Sequence, residues 1–336
     1  MTTYALHLEL SAPVAETVAL ARRAEEAGID AVYVIEGLRD ALVPLTAIAS
    51  ATETIRLGTY VANAYARPPQ IAATAALALD ELAGGRLTFG IGAGNPHVNE
   101  WVLGVDSRRP MRKMRDYLAV LRAYLQGDIP DAPEIGGPEH RVQRRFVRPP
   151  ARRVPIIVAA AGPRMIEFAA RESDGVGLGI LVGADHLAEV IKPRARAAAA
   201  DAGRDPDALR FPMAALVSVH EDPELARRRA RRAICGLFHP IPHPYYDHLL
   251  REQGYAHVAD AASELAPQKR WDEAMAVIDD DLLDRLTISG TPAEGAARLR
   301  AYDGVADEVI CLNLGGGAEG PNHEAVLEML RLAAGR

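Results

Sequence analysis

The sequence predicts a (β/α)8 TIM barrel, formed by a single domain that spans residues 1–336. Eight short, nearly continuous apolar runs recur along the chain, and a segment of helical period rich in Ala, Leu, Arg and Glu follows each one. Runs that lack hydrophobic–polar alternation mark strands covered on both faces, as parallel strands are. Eight strand–helix units in succession close as a barrel, and roughly 250 residues or more is ordinary for one. A doubly wound open sheet is the rival arrangement for the same pattern.

Each unit can be justified in turn. "YALHLEL" leads to "VAETVALARRAEEAG", an amphipathic helix closed by Gly28 just past its last turn. "AVYVI" precedes "LVPLTAIASAT". "IRLGTYV" precedes "RPPQIAATAALALDELAGG", with prolines in the first turn, where no N–H is missed, and paired glycines beyond the last. "RLTFGIG" leads to "PMRKMRDYLAVLRAYLQG", "PIIVAAAG" to "PRMIEFAARESDG", and "GVGLGIL" to "HLAEVIKPRARAAAADAG". "RFPMAALVSVH" precedes "DPELARRRARRAICGLF", and "DEVICLNLGGG" precedes "NHEAVLEMLRLAAG". Two segments break the rhythm. Residues 128–153, rich in Pro, Gly and Arg, read as an excursion between strands four and five. Residues 237–286 read as an insertion between strands seven and eight, and loops of that length are usually functional or disordered.

Composition narrows the function classes. The net charge of −7 argues against a nucleic-acid footprint, which needs a basic face or stripe. Cys235 and Cys311 stand far apart with no ligand spacing, so neither a disulfide framework nor a metal site is expected. The N-terminus lacks a basic segment followed by a long apolar core, and no uncharged apolar stretch reaches the ~18–20 residues that span a bilayer. The expectation is a cytoplasmic enzyme with a small-molecule substrate, no nucleic acid and no membrane.

In a barrel, chemistry sits at the C-terminal ends of the strands. Those ends hold His7, Glu9, Glu36, Asn63, Asn95, His97, Asn99, Gly162 and Asn313. Carboxylates, imidazoles and amides in that position line a polar pocket or, in the plainer reading, cap the helices that follow. His7, Glu36 and His97 are the candidate proton donors and acceptors, and histidine titrates nearest neutral pH. "GIGAG" (Gly90 to Gly94) is not a dinucleotide fingerprint: the last glycine of G-x-G-x-x-G is missing, and the motif stands in the fourth unit rather than the first. "AAAGPRMIEF" is either an ordinary strand–helix turn or an anion site, with Gly162, Pro163 and Arg164 opening a helix.

Together these blocks resemble the luciferase-like flavin and deazaflavin oxidoreductases. The similarity rests on N-x-Y-x-R-x-P from Asn63, on "LALDELAGGR", on "GIGAG", on "AAAGPRMIEFAARESDGV" and on "TISGTPAEGAARL". The pattern is nearest to that of coenzyme F420-dependent methylenetetrahydromethanopterin reductase-like enzymes. The resemblance implies a barrel that binds a flavin-type tricycle at its mouth, usually as a homodimer, with a non-prolyl cis peptide at Tyr60–Val61 behind the ring. It implies cofactor contacts from Tyr60, Val61, Asn63, Gly94, Asn95 and Asn99, and a phosphate segment at Ala161, Gly162, Pro163 and Arg164. Three positions depart from the family. Glu36-Gly37 stands where several F420 dehydrogenases carry Asp-His, and His7 and Asn95 replace a Glu and an Asp.

The implied activity is hydride transfer between F420 and a small organic substrate. An FMN-dependent monooxygenase that uses reduced flavin and oxygen is the alternative, and a non-catalytic ligand-binding barrel is the third reading. The charge run Arg108, Arg109, Arg112, Lys113 and Arg115 suits the acidic tail of F420, or is a solvated helix face. His239, His243, Tyr245, Tyr246 and His248 of the insertion form a candidate lid over the substrate rather than a metal site.

Overall fold

The computed structural model describes residues 2–8, 12–37, 39–313 and 322–335. Glu9 lies outside them. The strands, in chain order, are β1 (Thr3–Leu8), β2 (Ala31–Val34), β3 (Arg56–Asn63), β4 (Leu87–Gly92), β5 (Glu134–Gly136), β6 (Arg141–Gln143), β7 (Ile156–Ala159), β8 (Gly175–Gly177), β9 (Pro212–Val219), β10 (Thr287–Gly290) and β11 (Glu308–Asn313). All but β5 and β6 run parallel. Two compact units make up the chain: His7–Ala160 with Phe168–Gly177, and Met1–Leu6 with Ala161–Glu167 and Leu178–Arg336.

In the unit that begins at His7, the strand order is β2, β3, β4, β7, β8. Their side chains are buried nearly throughout, which is why the sequence shows apolar runs without alternation. Helix Val14–Glu26 buries Thr17, Leu20, Ala21 and Ala24, a stripe at helical spacing. A fully buried leucine contributes ~1.5–3 kcal/mol. The helix stops at Gly28, whose φ of 74° suits glycine and whose N–H donates to Glu25 O. Arg86 closes the next helix, Leu42–Ala51, by donating to the carbonyls of Ala49 and Thr52. The excursion at 128–153 contains the antiparallel hairpin β5–β6, packed on helix Pro110–Leu125 through Val120, Ala123, Ile135 and Val147.

In the other unit the order is β10, β9, β11, β1. This corrects the count of eight. Thr287–Gly290 is a further parallel strand, pairing Ile288 with Val217 and Ser289 with Ser218. Its four residues include Thr and Ser, too short and too polar to register as an apolar run. Residues 237–286 are helical, in four segments: Pro244–Glu252, Ala256–Leu265, Trp271–Ala276 and Asp280–Leu286. The first is tied to the loop that follows β8: Gln253 accepts from Gly183 N–H at 2.9 Å and donates to Leu181 O at 2.8 Å. The insertion is therefore attached to the Leu181–Gly183 loop of its own unit.

Candidate active site

The third strand is bulged near its end. Its register against β4 shifts between Thr59 and Ala62, and the Tyr60–Val61 peptide bond is cis, at the position implied by the family resemblance. Tyr60, Ala62 and Asn63 are buried, while Val61 is half-buried. β4 can lie this close only because it carries glycine. A Cβ on Gly90 would stand 2.2 Å from Thr59 O, and one on Gly92 would stand 2.9 Å from Val61 Cγ2. Gly94 has φ 67°, and a Cβ there would strike the Asn63 amide at 2.6 Å. The alternating glycines are thus a seat for the β3 bulge.

Two hydrogen-bond systems fix this place. Asn63 Nδ2 donates to Asn99 Oδ1 at 2.8 Å, Asn63 Oδ1 accepts from Tyr65 N–H, and Asn99 Nδ2 donates to Ala93 O. Backbone partners at both ends leave one orientation for each amide, so the flip is determined by the network. On the other side, Glu36 N–H donates to Val61 O, and the Glu36 carboxylate accepts from Asn63 N–H at 2.9 Å. Arg67 ion-pairs with Glu36 and, at 2.7 Å, with Asp40. Burial pushes the Glu36 carboxyl above its ordinary range, against the opposing pull of the Asn63 N–H and Arg67.

His7 is buried, and its Nε2 has no hydrogen-bond partner among the described residues. With nothing to stabilise the cation, burial lowers its pKa to about 4, so the ring is neutral at pH 7. His97 lies on the turn after β4. Its N–H donates to Asn95 Oδ1 at 2.8 Å, and its ring stacks on Trp101 at 4.7 Å. Val98–Val102 form a single π-helical turn that buries Asn99 and exposes Trp101 and Val102.

Helix Pro163–Glu172 starts directly after Gly162, whose carbonyl accepts from the N–H groups of Met165 and Ile166. Arg164 is exposed. A Cβ on Gly162 would meet no atom within 4 Å, so the chain there is open to a ligand.

Of the sequence-predicted residues, Glu36, Val61, Asn63, Gly94, Asn95, Asn99 and His97 are brought into one connected network. His7 shares no hydrogen bond with it, and Ala161–Arg164 form a separate segment. Arg67 was missed as a functional residue although it stands in the quoted motif; its partners are 27 and 31 positions away, beyond any local signal. Tyr117 was also missed. Its buried hydroxyl has no hydrogen-bond partner among the described residues, and burial together with the charge of Glu36 raises its pKa. Among the described residues no group of ligating side chains could hold a metal. No helix there is long and apolar enough to cross a membrane.

A bulged β3 seated on a glycine-bearing β4, with amide-locked strand ends, defines an α/β enzyme of the luciferase-like class. The chain belongs to the luciferase-like monooxygenase family, whose sequence model it matches over residues 2–307. It is 30% identical to the 5,10-methylenetetrahydromethanopterin reductase of Archaeoglobus fulgidus over 82% of both chains. The reductase of the same name from Methanolobus tindarius is 28% identical over 98% of both. The structure of the coenzyme F420-dependent tetrahydromethanopterin reductase of Methanopyrus kandleri superposes with a TM-score of 0.81 at 20% identity, covering 98% of this chain and 97% of that one.

Proposed function

We propose that this protein is a coenzyme F420-dependent oxidoreductase acting on a small organic substrate. The observation that carries the reading is the Asn63–Asn99 lock, which holds the turn after β4 against the end of β3 in the segment whose motifs resemble those of F420-dependent reductases. The residues fit such a cofactor. Val61 offers an apolar surface to a planar ring, and the open backbone at Gly162, beside Arg164 at a helix start, suits a phosphate. When bound, the deazaflavin supplies hydride transfer at its C5.

The chain's own residues provide position and proton management. The Val61 bulge supports one face of the ring, and Tyr60, Asn63, Gly94, Asn95, Asn99 and Ala161–Arg164 form the binding set. His7 holds a single ring proton in a dry setting and His97 presents an imidazole at the β4 turn, so these two lead as proton-handling groups. Glu36 is already committed to Asn63 and Arg67. The insertion at 237–286 acts as a lid, supported by its attachment to the loop after β8. The proposal extends to a single barrel domain of the (β/α)8 type that works in the cytoplasm as a homodimer.

The family's monooxygenase description favours a second reading, with FMN as cofactor and oxygen as co-substrate. Titration with F420 and FMN, followed by absorbance, decides between them. F420 is expected to bind at least roughly tenfold more tightly, a difference of ~1.4 kcal/mol. Tight FMN binding with oxygen consumption and no response to F420 overturns the reading.

A further inference from the structure

We propose that Arg67 is a positioning residue for the cofactor site, acting through Glu36 to hold the β3 bulge and the β4 turn in register. The inference rests on the F420 reading and adds a residue to which no role has been assigned.

The connections form one unbroken path. Arg67, 17% exposed, bridges the Glu36 carboxylate, 5% exposed, and the more open Asp40 carboxylate. Glu36 clamps the bulge from both sides, through its N–H to Val61 O and its carboxylate to Asn63 N–H. Asn63 then passes the constraint to Asn99, which holds Ala93 O at the edge of the proposed cofactor turn. Asp40 accepts from the N–H groups of Leu42 and Val43, so Arg67 also anchors the start of helix Leu42–Ala51.

A carboxylate as deeply buried as Glu36 persists as an anion only while it is paired. The groups that bear on it are Arg67 from the loop after β3, Asp40 from its own loop, the backbone N–H groups of Asn63 and Ala41, and Tyr117 from helix Pro110–Leu125. Arg67 is the cation among them. Without it Glu36 must take a proton, which weakens its hold on Asn63 N–H, or leave its site, which releases Asn63. Both carboxylates are met by one guanidinium nitrogen, Arg67 Nη2.

The test compares Arg67→Met, the double variant Arg67→Met/Glu36→Gln, and the control Glu25→Gln. Glu25 accepts three backbone N–H groups in a different loop and serves only to match a loss of stability. F420 affinity and melting temperature are measured from pH 5.5 to 8.5. Arg67→Met is expected to lower Tm by roughly 5 °C or more and to weaken F420 binding roughly tenfold or more. With the counter-charge gone, the folded-state pKa of Glu36 rises further, so the Tm loss should grow as pH rises and shrink toward pH 5.5. The double variant, which buries no unpaired charge, should recover most of the Tm and part of the affinity, whereas Glu25→Gln should lose Tm with F420 affinity unchanged. Wild-type F420 affinity in Arg67→Met overturns the inference, as does a double variant no better than the single. If the wild-type protein binds FMN and not F420, the cofactor reading fails alone, and the pH-dependent stability of the three variants still decides the role of Arg67.

Discussion

The side-chain amides of Asn63 and Asn99 meet at 2.8 Å and join the end of β3 to the turn that follows β4. Asn99 is fully buried and uses both of its amide atoms within the protein. Its value lies in geometry, because the turn from Ala93 to Asn99 has no strand pairing of its own.

Asn99→Ala should therefore destabilise the fold by roughly 2–4 kcal/mol, since Asn63 Nδ2 and Ala93 O are left unsatisfied in a dry site. Chemical denaturation measures this directly, and cofactor affinity should fall with it. A loss below ~0.5 kcal/mol would mean that the network carries no strain-free advantage over water.

Gly94→Ala meets two obstacles, the positive φ and the Asn63 amide. The expected cost is about 2 kcal/mol or more. Pairing it with Asn63→Ala removes the clash but not the backbone penalty, so the double variant should regain only part of the loss. Thermal melts of the three proteins separate the two contributions.

His7 links stability to pH. Its folded-state pKa of about 4 lies below the ordinary histidine value of 6.5. The unfolded chain thus binds the proton more readily, and the stability of the neutral form is complete above about pH 6.5 and lost as pH falls toward 4. Fully expressed, the contribution is about 3 kcal/mol. His7→Leu should flatten the acid limb of the stability profile. If His7 also handles the substrate proton, His7→Ala should lower turnover ~10²–10⁴-fold while leaving cofactor affinity nearly unchanged.

Gly162→Val should fold normally, because a Cβ at Gly162 has open space around it, yet should weaken cofactor binding roughly tenfold by obstructing approach of the phosphate. Arg164→Ala should weaken it by a similar factor, and the effect should shrink with salt because the side chain is exposed. Isothermal titration at two ionic strengths checks both. Unchanged dissociation constants would place the phosphate elsewhere.

Gln253→Leu removes both hydrogen bonds between the insertion and the Leu181–Gly183 loop. Amide exchange in 178–186 and 244–252 should accelerate roughly tenfold if this attachment governs local opening. Substrate turnover should change without any change in cofactor affinity, as expected of a lid.

Much of the framework was legible because parallel strands write themselves as apolar runs, and because Gly28 and the prolines before "QIAATAALALDEL" punctuate helices locally. What escaped was set by residues distant in sequence. β10 is four residues long and owes its existence to β9. The glycines of "GIGAG" could be excluded as a dinucleotide fingerprint, but their purpose depends on the Thr59 carbonyl, about thirty residues upstream. Glu36 reads as a free acid until Arg67 is placed beside it. The Tyr60–Val61 geometry came from kinship, since no local physics of "TYVAN" points to it.

The seat that Gly90 gives to the Thr59 carbonyl bears on how proteins of this kind diversify. A side chain at Gly90 would strike the Thr59 backbone, so this position of β4 is held to glycine whatever residue stands at 59. New substrate preferences must then arise where the chain is free to be rewritten. The helical stretch 237–286 is such a place: it lies between β9 and β10 and forms no strand itself.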